Sequence, residues 1–523
     1  MSEKPTFITN QKLPSDVQLE MFRQDNPETS FITTSAGAPV HQKKAVLTPG
    51  PRGPMLMQDF VFMNEMAHFD RERIPERIAH AKGGGAHGFL EITHDITKYC
   101  KAHFLAELGK KTPCFIRLST VAGDQGSADT VRDVRGFALK VYTEEGNWDM
   151  AGINTPTFFI RDPIFFPSFV HSQQRNPKTH FKDVNAMFGF YSLRPESIHQ
   201  VLLLYGDGGI PDGYRHMDGF STHAFKMVNA QNEPFYCKFH FKTKQGIKWL
   251  SNRKAKKIAG EDPDYANRDL YNAIEQRDYP QWDFKIQIMT QELADKCEFN
   301  PFDMTKVWPH GDYPLIPVGR LVRNRNPENY FQEVEQSAFC PAHVVPGIEF
   351  SPDRMLHGRV FSYPDTQFHR LGPNHQQLPI NSPFAARVQN YQQDGVASIQ
   401  PKGGCPVYHP NSFNGPKELQ NSHTKEHEFP VEGMAGRYDQ GGIQNFDQAR
   451  TLSDDERERL IQNLVEDLLL CNPAVVQRFI DVAGQVSSDL ADRLTEQMAE
   501  KAFETDPGAI CEVCGRIVSY MCH

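Results

Sequence analysis

Between residues 88 and 290 the chain carries a series of short apolar runs with period-two character and few breakers: GFLEITHDI, PCFIRLSTV, GFALKVY, TFFIRD, AFKMVNA, FYCKFHFK and FKIQIMT. Successive side chains of a strand face opposite sides, so these runs read as strands. NAQNE, residues 229–233, lies between two of them and reads as a hairpin-like turn. Many such strands in series predict a largely antiparallel sheet or closed barrel.

The rest of the chain is organised around that region. At 523 residues it exceeds what one simple core holds, so appendages are expected. Residues 1–80 contain TTSAGAPV and LTPGPRGP and read as an extended N-terminal arm, with the barrel over 81–325. Residues 326–448 are rich in Asn, Pro, Gly and Gln with little periodicity, as in a functional wrapping segment. Ser453-Asp454-Asp455-Glu456 is a capping box that opens a helical domain over 449–508. Leu460, Ile461, Leu464 and Leu468 share one face of its first helix, and after a break at Pro473 a further helix runs through Phe479 and Ile480. Residues 509–523 form a cysteine-containing tail, and the fold class is α+β.

A net charge of −9 and the lack of a long basic run give no support to nucleic-acid or anionic-membrane binding. No stretch approaches the roughly 20 apolar residues of a membrane span, and the first residues lack the apolar centre of a signal peptide. The expectation is a cytoplasmic protein with a small-molecule partner. A peroxisomal location stays open, although Met521-Cys522-His523 is not an S-K-L type address. The ten cysteines are mostly scattered through apolar segments, as at Cys114, Cys237 and Cys471, and read as buried free thiols.

Three motifs are set aside on context. Gly83–Gly88 satisfies G-x-G-x-x-G, yet a charged stretch precedes it and a strand pattern follows, the reverse of a dinucleotide-binding turn. His80, His87 and His94 recur every seven residues, but the glycines between the first two break any helix that would align them on one metal. Cys511, Cys514, Cys522 and His523 suggest zinc, but adjacent Cys522 and His523 rarely reach one ion and no second C-x-x-C exists.

The chemistry lies in SPDRMLHGRVFSYPDTQFHRLGPN. If DRMLHGRVFSY is helical, Arg359 and Tyr363 lie four apart on one face, with Pro364 ending the helix. A guanidinium against a phenol favours phenolate, a hard anionic ligand suited to ferric iron. By itself the pair reads sooner as a surface tyrosine beside an arginine, because charge pairs at this spacing are common.

Other segments turn the balance. FDRERIPERIAHAKG, RLSTVAGDQGSADTVRDVRGFALKVYTEEGNWD, NTPTFFIRDPIFFPSFVHSQQRNP and RVFSYPDTQFHRLGPN together resemble the haem catalases of the small-subunit animal type, over about residues 25 to 440. The resemblance implies an antiparallel barrel holding ferric haem b, hydrogen peroxide as substrate and a homotetramer. Tyr363 would be the proximal iron ligand, Arg359 its charge partner, and His223 and Asp353 the continuation of that relay. Arg77, Arg117 and Arg370 match the arginines for the haem propionates, and two buried carboxylates do need fixed cations. Phe158, Phe159 and Phe166 would line the pocket. His80 matches the distal histidine and Ser119 the serine that orients it. In the family that histidine moves a proton between the two peroxide oxygens as the O–O bond breaks, and a second peroxide completes the conversion to oxygen and water.

Two departures from the family pattern matter. Its distal asparagine is the first of two in G-N-N-T-P; here Ile153 stands there, and only Asn154 remains. Isoleucine has no N–H to offer, and on a strand Asn154 faces away unless a bulge shifts it. Losing one preorganised donor commonly costs about 10² to 10³ in rate, so a slow enzyme is expected rather than a lost fold. The family's NADPH is gripped near S-D-R-G-I-P, where this chain has Gly206 and Gly208, with Asp218 in place of the usual asparagine. His199, Lys242, Trp308 and His310 do match, so a groove with weak or absent NADPH binding is implied. Ala79 and Val134 replace the usual valine and proline on the peroxide's path. The competing reading is a catalase-like haem-binding or structural assembly with little turnover.

Overall fold

The alternating runs do form strands, and they close on themselves. The ten strands are β1 (Gly83–Ile92), β2 (Lys111–Ser119), β3 (Gly136–Thr143), β4 (Gly146–Ile153), β5 (Gly219–Phe220), β6 (Phe225–Val228), β7 (Pro234–Thr243), β8 (Gln281–Met289), β9 (Ile316–Arg325) and β10 (Ile348–Phe350). In the computed structural model, which describes residues 14–419, 437 and 452–505, every pairing between these strands is antiparallel. β7 pairs with both β5 and β8, and β1 with both β2 and β9, so eight strands make a closed ring; β6 and β10 extend from β7 as a short side ladder. Closure removes the exposed edges that an open sheet would offer to other chains.

One face of every strand in the ring fills its interior. Leu118, Phe137, Leu139, Met150 and Phe241 are fully or almost fully buried there. The Phe137 ring lies 5.5 Å from Phe241 and 5.7 Å from Trp282. Strand alternation then places Arg117, Ser119, Gly136, Ala138, Ala151 and Ile153 on the outer face. Gly88 illustrates why β1 is glycine-rich. A Cβ there would lie 1.9 Å from the Val322 carbonyl oxygen, so only glycine lets β9 come this close.

The described residues fall into two compact units, divided between Pro75 and Glu76, so His80 belongs to the larger one with the barrel. The first unit contains the helices Pro14–Asp25 and Phe60–Phe69 within its irregular chain. Asp59 caps the second of these. In the larger unit the capping box forms as read, with Ser453 and Glu456 satisfying each other's backbone at the start of Asp454–Leu468. The helices Pro473–Val486 and Ser488–Thr505 follow. Their apolar faces join one cluster that runs from Leu464 and Phe479 through Phe188 to Phe158 and Ile153. Asn229–Glu233 is the hairpin turn between β6 and β7.

Two expectations are corrected. TFFIRD is not a strand; the strand is the preceding stretch, β4, and residues 155–162 form a buried loop. Phe158, Phe159 and Ile160 are all buried without alternation, and the Phe158 N–H donates to the Met304 carbonyl at 2.9 Å rather than to a neighbouring strand. Nor does Pro364 end its helix, which runs unbroken from Arg354 to Leu371. A proline removes one intrahelical bond; here Asp353 caps the start and Arg370 anchors the end to the Glu335 carbonyl, so tertiary contacts outweigh that loss. No helix among the described residues is long and apolar enough to cross a membrane.

Candidate active site

A cavity of about 300 Å³ lies against the outer face of the barrel. Its floor is two cross-strand rows. In the first, Ser119, Gly136 and Ile153 stand directly opposite one another on β2 to β4; in the second, Arg117, Ala138 and Ala151 do. Directly paired residues share a face. Gly136, Ala138 and Ala151 therefore leave a flat, shallow surface, suited to a planar group.

His80 stands over Gly136. A Cβ on that glycine would lie 2.6 Å from His80 Nδ1 and 2.4 Å from Ser119 Oγ, so the glycine makes room for their 3.0 Å hydrogen bond. With Nδ1 engaged, Nε2 is the nitrogen left for the cavity. His80 also has a left-handed backbone, φ 65°, unusual for a residue other than glycine, fixed by its N–H to Val121 and by Arg117 donating to its carbonyl at 2.6 Å. Burial, with Arg117, Arg359 and Arg77 nearby, lowers its pKa to about 3, so the ring is a neutral proton acceptor at ordinary pH.

Across the cavity stands the helix Arg354–Leu371. Arg359 donates to the Tyr363 hydroxyl, to the Ala151 carbonyl at 2.7 Å and to His223 Nε2 at 2.7 Å. Arginine only donates, so His223 accepts at Nε2 and carries its proton on Nδ1, which donates to Asp353 at 2.7 Å. The His223 pKa is correspondingly lowered, first by burial. The result is a relay, Asp353–His223–Arg359–Tyr363, ending on a phenol oxygen held by a cation. Gly358 lets this helix approach Pro163, whose Cβ would lie 2.5 Å from any Cβ at that position.

At the cavity's rim Arg77, Arg117 and Arg370 converge. Arg77 donates to the carbonyls of Val334, Glu335 and Ser337, and Arg370 to those of Glu335 and Ser337, all supplied by a π-helical turn, Phe331–Glu335, and its exit. Glu335 is the one carboxylate in ion-pair range of Arg77 and Arg370 among the described residues, at 3.3 and 3.7 Å. Arg77 Nη1, Arg117 Nε and Arg370 Nε are buried without a hydrogen-bond partner. Burial lowers the pKa of all three, that of Arg370 to about 10; a guanidinium nonetheless keeps its charge in proteins. Three cations against one carboxylate leave a surplus of about two charges in a desolvated place, a fit for a planar group bearing two carboxylates.

The structure thus brings His80, Ser119, Ile153, Arg77, Arg117, Phe158, Phe166, Arg359, Tyr363 and Arg370 to one cavity. Phe159 is a correction: it does not border the cavity but stacks behind it on Phe169 and Tyr191, at 4.6 and 5.2 Å. Asn154 is outside too. Its side chain accepts from the Arg135 backbone N–H at 2.8 Å, and no bulge brings it round. Ala79 borders the cavity, whereas Val134 packs in the core beside Ile153. Gly136, Glu335 and the Ala138–Ala151 floor are functional positions that the sequence reading missed; period two from Ser119 and Ile153 was the available signal for the floor, and none marked Glu335.

His199, Lys242, Trp308 and His310 line a second cavity of about 530 Å³. Lys242 is already paired with Asp218 at 2.9 Å. Gly206 and Gly208 do not border it, and Asp207 between them is held by Arg459 through bonds of 2.9 and 2.7 Å. Elsewhere His87 pairs with Glu333, His94 with Thr93, and no histidine, cysteine or carboxylate group among the described residues is arranged to hold a metal ion. The residues of the zinc motif, Cys511, Cys514, Cys522 and His523, lie outside the described residues.

Comparison with known proteins agrees with this geometry. The catalase family pattern matches residues 33–415, and a pattern described as catalase-related immune-responsive matches residues 442–498. The chain is 57% identical to Catalase-2 of Caenorhabditis elegans over 493 residues, covering 93% of this chain and 99% of that protein. It is 57% identical to the catalase of Ascaris suum over 497 residues, covering 94% and 91%. Catalase A from Saccharomyces cerevisiae superposes with a TM-score of 0.86 at 41% identity, covering 89% of this chain and 98% of that one. A barrel whose outer wall carries a histidine–serine pair facing an arginine-held tyrosine, and whose sequence matches these relatives nearly end to end, belongs to the catalase family.

Proposed function

We propose that this protein is a haem-dependent catalase that converts hydrogen peroxide to water and oxygen at a rate held down by Ile153. A ferric haem b would be held by Tyr363 at its iron and by Arg77, Arg117 and Arg370 at its propionates, and would supply the redox chemistry. The chain's own residues do the rest. Arg359 donates to the Tyr363 oxygen, and His223 and Asp353 hold Arg359 in place. Neutral His80 takes the proton from one peroxide oxygen and returns it to the other as the O–O bond breaks, its ring fixed by Ser119. Phe158, Phe166 and Ile153 exclude water from that transfer.

The observation that carries the reduced rate is the cross-strand row. Ile153 stands one strand from Gly136, beside the His80 ring, where a donor to the peroxide would sit, and Asn154 is committed to Arg135. Oxygen release per haem from the parent protein, measured beside its absorption spectrum, tests the reading. Ile153→Asn is expected to raise turnover tenfold or more, towards the about 10² to 10³ that one preorganised donor is worth. The new amide needs a partner when buried, so a modest loss of stability accompanies it. A haem-loaded variant that stays as slow as its parent supports the haem-binding assembly reading instead, or an altered peroxide path at Ala79.

NADPH does not fit the second cavity well. Lys242 is spent on Asp218, and Gly206 and Gly208 have no side chains to offer a phosphate, so binding weaker than micromolar is expected. Family likeness supports a homotetramer.

A further inference from the structure

We propose that Ile153 also sets the class of oxidant, favouring small alkyl hydroperoxides over hydrogen peroxide, an inference that rests on the haem-peroxide reading above. Hydrogen peroxide carries an O–H at each end, and each needs a partner once buried. His80 serves one. Beside it, Ser119 Oγ is engaged by His80 Nδ1, Gly136 has no side chain, Ile153 presents only methyl and methylene groups, and the Asn154 amide faces Arg135. Ala79 and Phe158 continue the same apolar wall. The other polar side chains of the cavity belong to the arginine cluster at the rim, to the Tyr363 helix, or to Thr222, which donates to the Thr155 carbonyl at 3.2 Å. The second O–H of hydrogen peroxide therefore meets hydrocarbon. An alkyl hydroperoxide has one O–H for His80 and an alkyl group for Ile153.

The reaction balances with hydrogen peroxide as the reductant: ROOH + H2O2 → ROH + H2O + O2. The hydroperoxide's O–O bond breaks and His80 passes its proton to the departing alkoxide oxygen, which leaves as the alcohol. Hydrogen peroxide gives up two electrons and two protons to become oxygen, and those reduce and protonate the remaining oxygen to water.

The experiment mixes haem-loaded parent, Ile153→Asn and Ile153→Thr with ethyl hydroperoxide or hydrogen peroxide and follows the second-order rate of the haem absorbance change. The ratio of the two rates is expected to favour ethyl hydroperoxide at least tenfold more in the parent than in either variant, since a site that hydrogen-bonds a substrate group rejects analogues lacking it far more strongly than an apolar site does. Equilibrium binding gives a readout free of turnover: relative to the variants, the parent is expected to bind ethyl isocyanide tightly on reduced haem and fluoride weakly on ferric haem. The threonine variant keeps the β-branched shape and carries the test if the asparagine variant fails to fold. Equal ratios in all three proteins overturn the inference, while a faster Ile153→Asn reaction with hydrogen peroxide would leave the proposed function standing. A protein that takes up no haem overturns both.

Discussion

The two cavities on this barrel are lined by similar chemistry and differ in how far their cations are compensated. In the first, Arg77, Arg117 and Arg370 outnumber Glu335, and buried guanidinium nitrogens remain without partners. In the second, Lys242 has found Asp218, and Lys238, with no carboxylate in ion-pair range among the described residues, donates to the Lys306 carbonyl at 3.2 Å. A desolvated surplus of charge demands a ligand of opposite sign, whereas an internal ion pair satisfies itself. What distinguishes the two cavities is thus the count of uncompensated cations, not the number of matching residues.

The largest expected effect breaks the first cavity while sparing its charge. Tyr363→Phe removes the phenol oxygen but leaves all three arginines. Iron ligation, read from the high-spin ferric spectrum, is expected to be lost and oxygen release with it, even if some porphyrin is retained. Retention of the parent spectrum would show that the arginines, not the tyrosine, define the site.

Acid probes both cavities at once. His80 in the first and His199 and His240 in the second have pKa values lowered to about 3, 4 and 3, chiefly by burial. The unfolded chain takes up protons near pH 6.5 that these folded rings refuse, so stability falls as pH drops from about 6.5 towards 4. Each contributes up to about 2 kcal/mol of loss at pH 5. Urea unfolding of the apoprotein at pH 7 and pH 5 measures the total, to which other histidines with lowered pKa values such as His223 add, and His240→Gln is expected to remove up to about 2 kcal/mol of it. An unchanged slope in that variant would mean that His240 titrates normally.

The smallest expected effect sharpens the comparison. Asp218→Asn frees Lys242, and calorimetry is expected to find NADPH binding tightened by about tenfold from a weak start, the worth of one charge-assisted contact. Micromolar binding by the parent would show that the ion pair opens for the ligand.

Local spacing explains what the sequence made readable. Arg359 and Tyr363 lie one helical turn apart, and Arg117 and Ser119 alternate on one strand, so each pair's geometry follows from the backbone period alone. The barrel was readable for the same reason. TFFIRD misled because a loop buried along most of its length has the same composition as a strand. Pro364 misled because intrinsic propensity is weak against a capped and anchored helix. Glu335 and Gly136 were invisible as site residues since their importance arises only when segments far apart in the chain meet.

That distance has a bearing on how the protein is made. Arg77 leans on carbonyls at Val334, Glu335 and Ser337, the ring closes only when β1 finds β9, and Arg370 completes the rim. Contacts so remote must wait for loop closure. A ribosome that has released only the first three hundred residues has therefore produced much of the barrel and nowhere to put a porphyrin. Cofactor capture belongs to the closing moments of synthesis or after them, and a chain cut short before Arg370 is a barrel without an occupant.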